Sequence, residues 1–289
     1  MMEEKIINNE IQPETQETPK EAPKTPNRLL APAGYAVEAN VWDRIYAVMR
    51  QEYTIVGNVS SIINIDGTPT WEVMIPEFPN QRGLVPISES GLDENVFYKF
   101  VGQDVYMRIQ ACDPENDLFA CSCVEAVNSV KDIVLSRLVV GKRIPIIVKA
   151  IVGQPARLIA DIGGGVLVEI PAKDARRYYS RYLSEQYQPG QQVEAEVISL
   201  DPLKISIKAT YPDPWQTYSF TRGQIVVGTI IRVFDEYMTI ETDIAPGMVG
   251  TAPVPITGSF FAGDRVQCSV TRFLRDDRKF NLRVRNRVK

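Results

Sequence analysis

Gly190-Gln-Gln-Val-Glu-Ala-Glu-Val-Ile-Ser-Leu-Asp-Pro-Leu-Lys-Ile-Ser-Ile207 decides the fold. A Gly opens a Val-rich strand, Asp201 follows eleven residues later, and a short alternating strand closes the stretch. The pattern recurs twice. Gly102-Gln-Asp-Val105 leads through Asp113 to Phe119-Ala-Cys-Ser-Cys123, and Gly263-Asp-Arg-Val266 leads through Leu274 to Phe280-Asn-Leu-Arg-Val284. Upstream of each lies an opening strand: Val56-Gly-Asn-Val59, Ile144-Pro-Ile-Ile-Val148 and Val226-Val-Gly-Thr-Ile230. Pro86, Pro171 and Pro253 mark a turn between the two halves. Self-similarity at this period means three copies of one small folding unit.

The repeats predict units over 52–126, 141–210 and 223–289. Each reads as three strands, a helical or irregular segment, then two strands. Five short strands with one excursion after the third describe the five-stranded Greek-key barrel of the oligonucleotide-binding (OB) fold. Closing a small sheet hides its edges and fills its interior with Val, Ile and Leu. The expected architecture is therefore mainly β: three tandem barrels joined by short helical linkers. Residues 1–34 carry Pro13, Pro19, Pro23, Pro26 and Pro32 among Glu, Thr and Asn, the composition of a disordered tail. Over 35–51, Val37, Val41, Ile45 and Val48 fall at helical spacing beside Trp42 and Met49, predicting a lead-in helix. Val127, Val130, Val134 and Leu138 predict a linker helix over 127–140. The linker over 211–222 differs, because Pro212-Asp-Pro214 forbids a continuous helix. Trp215 and Tyr218, three apart, are placed to pack on the third unit.

Composition removes several function classes. The chain has 289 residues, 44% of them apolar, an ordinary globular balance. No run approaches the ~18 apolar residues of a membrane span. The acidic, Pro-rich start does not read as a secretory signal, so a cytoplasmic location is expected. There is no His, which removes most general acid–base schemes and mixed zinc sites. Four Cys make no disulfide framework at this length. Cys121 and Cys123 occupy the repeat positions of Ile205 and Ile207, and of Leu282 and Val284, so they read as core residues. Gly163-Gly-Gly165 lacks the Lys-Ser/Thr of a phosphate loop and joins two strands, which favours a tight hairpin turn. The expectation is a non-catalytic protein with no cofactor and no metal.

The net charge of −4 conceals a division. Residues 52–126 hold 3 basic and 12 acidic side chains, whereas 141–210 and 223–289 each hold 10 basic and 7 acidic ones. The first unit should repel a phosphate backbone and the other two attract one, since a polyanion responds to local potential. Arg272, Arg275, Arg278, Lys279, Arg283, Arg285, Arg287 and Lys289 crowd the C-terminus against Asp276 and Asp277. Alternation on the closing strand predicts Arg283, Arg285 and Arg287 on one face, as a phosphate-tracking stripe or a solvated outer surface.

Gly83-Leu-Val-Pro-Ile-Ser-Glu89 resembles the turn motif of the S1-motif RNA-binding family, named after a small-subunit ribosomal protein. Gly223-Gln-Ile-Val-Val-Gly-Thr-Ile230 is similar to that family's opening strand, and Gly190 to Lys208 to its closing pair. Tyr211-Pro-Asp-Pro-Trp215 and Trp42-Asp-Arg-Ile45 resemble its inter-repeat linkers. Pro86, Pro171 and Pro253 stand where the family carries a His. The resemblance, over roughly 42–289 apart from the linker helix, implies RNA lying across strands two and three. It implies stacking aromatics at Phe234 and Tyr237 in the third unit and at Trp71 in the first, with Leu158 and Ile159 in their place in the second. It implies phosphate contacts from closing-strand residues such as Lys279, Arg283, Arg285 and Arg287.

Arg176-Arg-Tyr-Tyr-Ser-Arg-Tyr182 offers a second candidate surface, with Arg176, Arg177, Tyr178, Tyr179 and Arg181 interleaved in the segment expected to be helical. A helix burying its tyrosines and exposing its arginines is the equal alternative. The resulting expectation is a binder of single-stranded RNA, such as mRNA, in bacterial translation. Its acidic first barrel and N-terminal helix would dock on the ribosome or a ribosomal protein. A scaffold that has lost RNA binding and an accessory subunit of an RNA-processing machine are the alternatives.

Overall fold

A computed structural model describes residues 40–288 of the chain. The tail expected over 1–34 and the first residues of the lead-in helix lie outside this range. Helix α1 (Val41–Arg50) begins where the Asn40 side chain accepts the Trp42 N–H at 3.1 Å. Its buried Trp42 and Ile45 pack onto the first barrel.

Barrel 1 comprises β1 (Ile55–Ile65), β2 (Thr68–Ile75), β3 (Phe78–Pro86), the short helices α2 (Ile87–Ser90) and α3 (Glu94–Phe97), β4 (Asp104–Asp113) and β5 (Leu118–Ser122). Its strands close in the order β1-β2-β3-β5-β4, with β3 and β5 parallel. Helix α4 (Cys123–Ser136) follows at once, capped by Ser122 Oγ on the Glu125 N–H. Barrel 2 contains β6 (Arg143–Val152), β7 (Arg157–Asp161), β8 (Leu167–Pro171), α5 (Ala172–Ala175), β9 (Gln192–Leu200) and β10 (Leu203–Ser206). After α6 (Pro214–Thr217), barrel 3 contains β11 (Ile225–Val233), β12 (Tyr237–Thr242), β13 (Val249–Pro253), β14 (Arg265–Leu274) and β15 (Lys279–Arg287). It closes in the same order as barrel 1, with an irregular connection in place of the helices after the third strand. The mainly β, triple five-stranded architecture read from the repeats is the observed one.

The first strand of each barrel must pair with both the second and the fourth. A register shift bends it midway in all three, at Val59/Ser61, Val148/Ala150 and Ile230/Arg232. A bulge adds the local bend and twist that closure requires.

Closure differs in barrel 2. There the order is β10-β9-β6-β7-β8, with no ladder between β8 and β10. The third strands align as Gly83-Leu-Val-Pro86, Val168-Glu-Ile-Pro171 and Gly250-Thr-Ala-Pro253. A Cβ on Gly250 would lie 2.7 Å from Leu282 Cδ1 and 2.9 Å from the Phe280 carbonyl oxygen, and one on Gly83 would lie 3.2 Å from the Phe119 ring. The third strand therefore comes close to the fifth where it has no side chain, and barrel 2, which lacks the β8–β10 ladder, carries Val168 at that position. Gly250→Val is expected to separate β13 from β15 and cost about 1–3 kcal/mol, the usual range for overpacking. Hydrogen exchange on β15 amides would rise; unchanged protection would refute this account.

Barrels 1 and 2 share apolar contacts. Ala150, Val152 and Ile159 of barrel 2 belong to the same buried cluster as Trp71, Phe97 and Phe119. The glycine turn joins β7 to β8, as expected, and packs against α4: a Cβ on Gly164 would lie 2.7 Å from Val130 Cγ2. Cys121 and Cys123 are buried, and burial pushes the Cys123 thiol up to about 12, keeping it protonated. Among the described residues, no helix is long and apolar enough to cross a membrane.

Candidate nucleic-acid interface

On β12 the residues Met238 and Ile240 point into barrel 3, which leaves Tyr237 and Thr239 on its outer face. Tyr237 pairs with Pro253 of β13, and Thr251 of β13 pairs with Asn281 of β15. Lys279, Asn281 and Arg283 share the outer side of β15, because Phe280 and Leu282 point inward. The arrangement leaves an open groove of about 580 Å³ lined by Tyr237, Thr251, Thr271, Asn281, Arg283 and Glu236, among others. The Phe234 and Tyr237 rings stack at 4.6 Å and 23°, and each residue is exposed, at 41% and 44%. Their turn is fixed by the Phe234 N–H donating to the Tyr237 carbonyl at 2.8 Å. No carboxylate of the described residues lies within ion-pairing distance of Arg283 or Lys279.

The expected row of three arginines is broken. Val284 pairs with Cys268 and Asn286 with Gln267, so Arg285 falls in a bulge without a ladder partner. Its Nε donates to Ser269 Oγ at 3.0 Å, which lays the guanidinium over β14. Arg287 pairs with the inward-facing Val266 and turns to Asp264 at 2.5 Å. A one-residue slip reverses the facing of every later residue on the strand, so Arg283 alone of the three lines the groove.

Trp71 is also corrected. It is 1% exposed, stacked on Phe97 at 4.5 Å and 7° and on Phe100 at 5.4 Å, and its indole N–H donates to the Phe97 carbonyl at 3.2 Å. The ring is part of the barrel 1 core and has no face for a base. Leu158 and Ile159 are buried in barrel 2.

The Arg176–Tyr182 segment is not helical. Helix α5 ends at Ala175, a 3-10 turn begins at Leu183, and the residues between are irregular. This stretch joins barrel 2 to barrel 3. The Tyr179 N–H donates to Glu241 Oε2, while Glu241 Oε1 accepts the Gly247 N–H. Burial raises the Glu241 carboxyl above its ordinary range, against the lowering effect of those two N–H groups. The Arg177 guanidinium sits 4.4 Å from the Tyr211 ring centre, and Arg181 sits 5.4 Å from the Tyr182 ring centre. Tyr178 remains exposed, and Arg176 is partly buried.

The groove's polar lining, Thr251, Thr271 and Asn281, escaped the sequence reading. Only the strand register brings these residues beside Tyr237.

No family model matches the chain, and no curated protein does. Among solved structures, the chain is similar to a multidomain protein with nucleic acid binding domains from Streptococcus pneumoniae. That likeness has 14% identity and a TM-score of 0.23, and covers 82% of this chain and 75% of that one. Similarity to Drosophila Unr CSD456 has 12% identity and a TM-score of 0.20, covering 82% of this chain and 98% of that one.

Proposed function

We propose that this chain is a non-catalytic binder of single-stranded RNA, with the outer groove of barrel 3 as its principal site. The observation that carries the reading is the placement of Tyr237 and Arg283 along one groove, with Phe234 stacked beside Tyr237. A base offers a π-face to Tyr237 while its phosphate reaches Arg283 or Lys279. Such a site tolerates any sequence, because every base can stack. Thr251, Thr271 and Asn281 supply hydroxyl and amide groups for sugar and base edges. Barrel 1, with 12 acidic against 3 basic side chains over 52–126, is unsuited to RNA and suited to docking on a basic protein surface. Together with the S1-type sequence motifs, this points to a role in translation, with mRNA held near the small ribosomal subunit.

Fluorescence anisotropy with a single-stranded RNA tests the site. Tyr237→Ala is expected to weaken binding by about 1–3 kcal/mol, roughly 5- to 150-fold. Lys279→Gln with Arg283→Gln is expected to flatten the slope of log K against log salt by about 1.4, or 0.7 per phosphate. Unchanged affinity and slope would remove the groove from the reading. Sedimentation with ribosomes tests the proposed setting.

Glu236 in the same groove, and the pairing of Arg265 with Asp243 and of Arg287 with Asp264, favour a second reading as a protein-interaction scaffold. Absence of RNA binding even at low salt would leave that reading standing.

A further inference from the structure

A second concavity, of about 360 Å³, lies between barrels 2 and 3 and shares no residue with the barrel 3 groove. Its size falls in the range of roughly 300–1,000 Å³ typical of small-molecule sites. It is assembled from separate parts of the chain. Barrel 2 contributes Arg177 and Lys208, the linker contributes Tyr211, Asp213 and Tyr218, and Arg278 comes from the β14–β15 turn. The wall has two chemical characters. Tyr211 and Tyr218 provide aromatic surface, and Tyr211 remains 40% exposed although Arg177 covers one face at 4.4 Å. Arg177, Lys208 and Arg278 provide three cations against one carboxylate, Asp213, which is already engaged by Arg278 at 2.5 Å. Lys208 is exposed and makes no ion pair among the described residues.

A planar ring and an anion are the two features this wall complements at once. An inorganic anion leaves the tyrosines unused, and a neutral aromatic leaves the cations unused. We infer that the inter-barrel pocket binds a nucleotide, its base against Tyr211 and its phosphate between Lys208 and Arg177. Guanidinium and ammonium contacts to phosphate are charge-assisted and stronger than neutral ones. The nucleotide can be free in solution or one residue of an RNA strand, and both present the same base and phosphate.

Calorimetric titration of the full chain with AMP at low salt tests the site. AMP binding is expected, about fivefold to tenfold weaker in Lys208→Gln, a surface change, and about tenfold weaker in Tyr211→Ala. Tyr211→Phe keeps the ring and is expected to bind like the parent. Each titration is made in a Tyr237→Ala background, which removes the stacking ring of the barrel 3 groove, so that the AMP binding that remains reports this pocket. A short single-stranded RNA that displaces AMP identifies a strand nucleotide as the occupant; one that does not identifies a free nucleotide. Absence of AMP binding at low salt, or AMP binding that Lys208→Gln and Tyr211→Ala both leave unchanged, overturns the proposal.

Discussion

Trp71→Ala is expected to destabilise barrel 1 by about 3–5 kcal/mol, the range for deleting a large buried aromatic. The indole is almost completely enclosed and stacked against two phenylalanine rings. Its loss leaves a cavity between the sheet and α3 and strips the Phe97 carbonyl of the indole N–H. Such a cavity collapses only partly when strands fix its walls. Because Ala150, Val152 and Ile159 belong to the same buried cluster, the damage is expected to spread into barrel 2. Barrel 3 has its own core, so the RNA binding proposed for Tyr237 and Arg283 is expected to persist below the first unfolding transition. Urea unfolding followed by tryptophan fluorescence measures the first effect and RNA anisotropy the second. Parent-like stability with weakened RNA binding would mean that the ring is a platform after all.

The position of Trp71 was legible in the sequence. Trp71, Val73 and Ile75 alternate with Glu72 and Met74, and a strand that buries Val73 and Ile75 buries Trp71 with them. The resemblance to a family's stacking position ran against that alternation, and the alternation prevailed. The same rule places Tyr237 outside, because Met238 and Ile240 are apolar neighbours on the core side. The repeats were legible because Gly, Pro and hydrophobic period survive in each copy.

Features set by pairing rather than by pattern were not legible. Alternation assigns Arg283, Arg285 and Arg287 to one face only if no residue is inserted, and the insertion at Arg285 exists only relative to β14. The Arg176–Tyr182 segment carries three arginines, which favour helix, yet its Tyr179 N–H goes to Glu241 of barrel 3 and its Arg177 N–H to the Gln186 side chain of barrel 2, in place of helical partners. Val168 in place of Gly83 and Gly250 did stand in the sequence. Its meaning needed the distance between the third and fifth strands.

Glu241→Ala is expected to loosen both the Tyr179 link from barrel 2 and the β12–β13 connection of barrel 3 and to cost about 2–6 kcal/mol, since two N–H groups each lose a charged acceptor at about 1–3 kcal/mol apiece. By strand alternation Glu241 belongs on the outer face with Tyr237 and Thr239, yet it is buried, because the Tyr179 segment covers it. Burial is the largest influence on its carboxyl and raises it above the ordinary 4.5, with the Tyr179 and Gly247 N–H groups and Lys208 opposing. The folded chain therefore holds this proton more tightly than the unfolded chain does. Glu241's contribution to stability is fully present below pH 4.5 and declines as pH rises through the raised value. Near neutral pH the carboxylate still accepts both N–H groups, so its removal remains destabilising while its ionisation carries a desolvation cost. Thermal unfolding of the parent and of Glu241→Gln at a series of pH values isolates this term, because the amide does not titrate. The parent's advantage over Glu241→Gln should shrink from pH 4 toward pH 7. An advantage that grew over the same interval would mean that the two N–H groups outweigh burial and hold the carboxyl below its ordinary value.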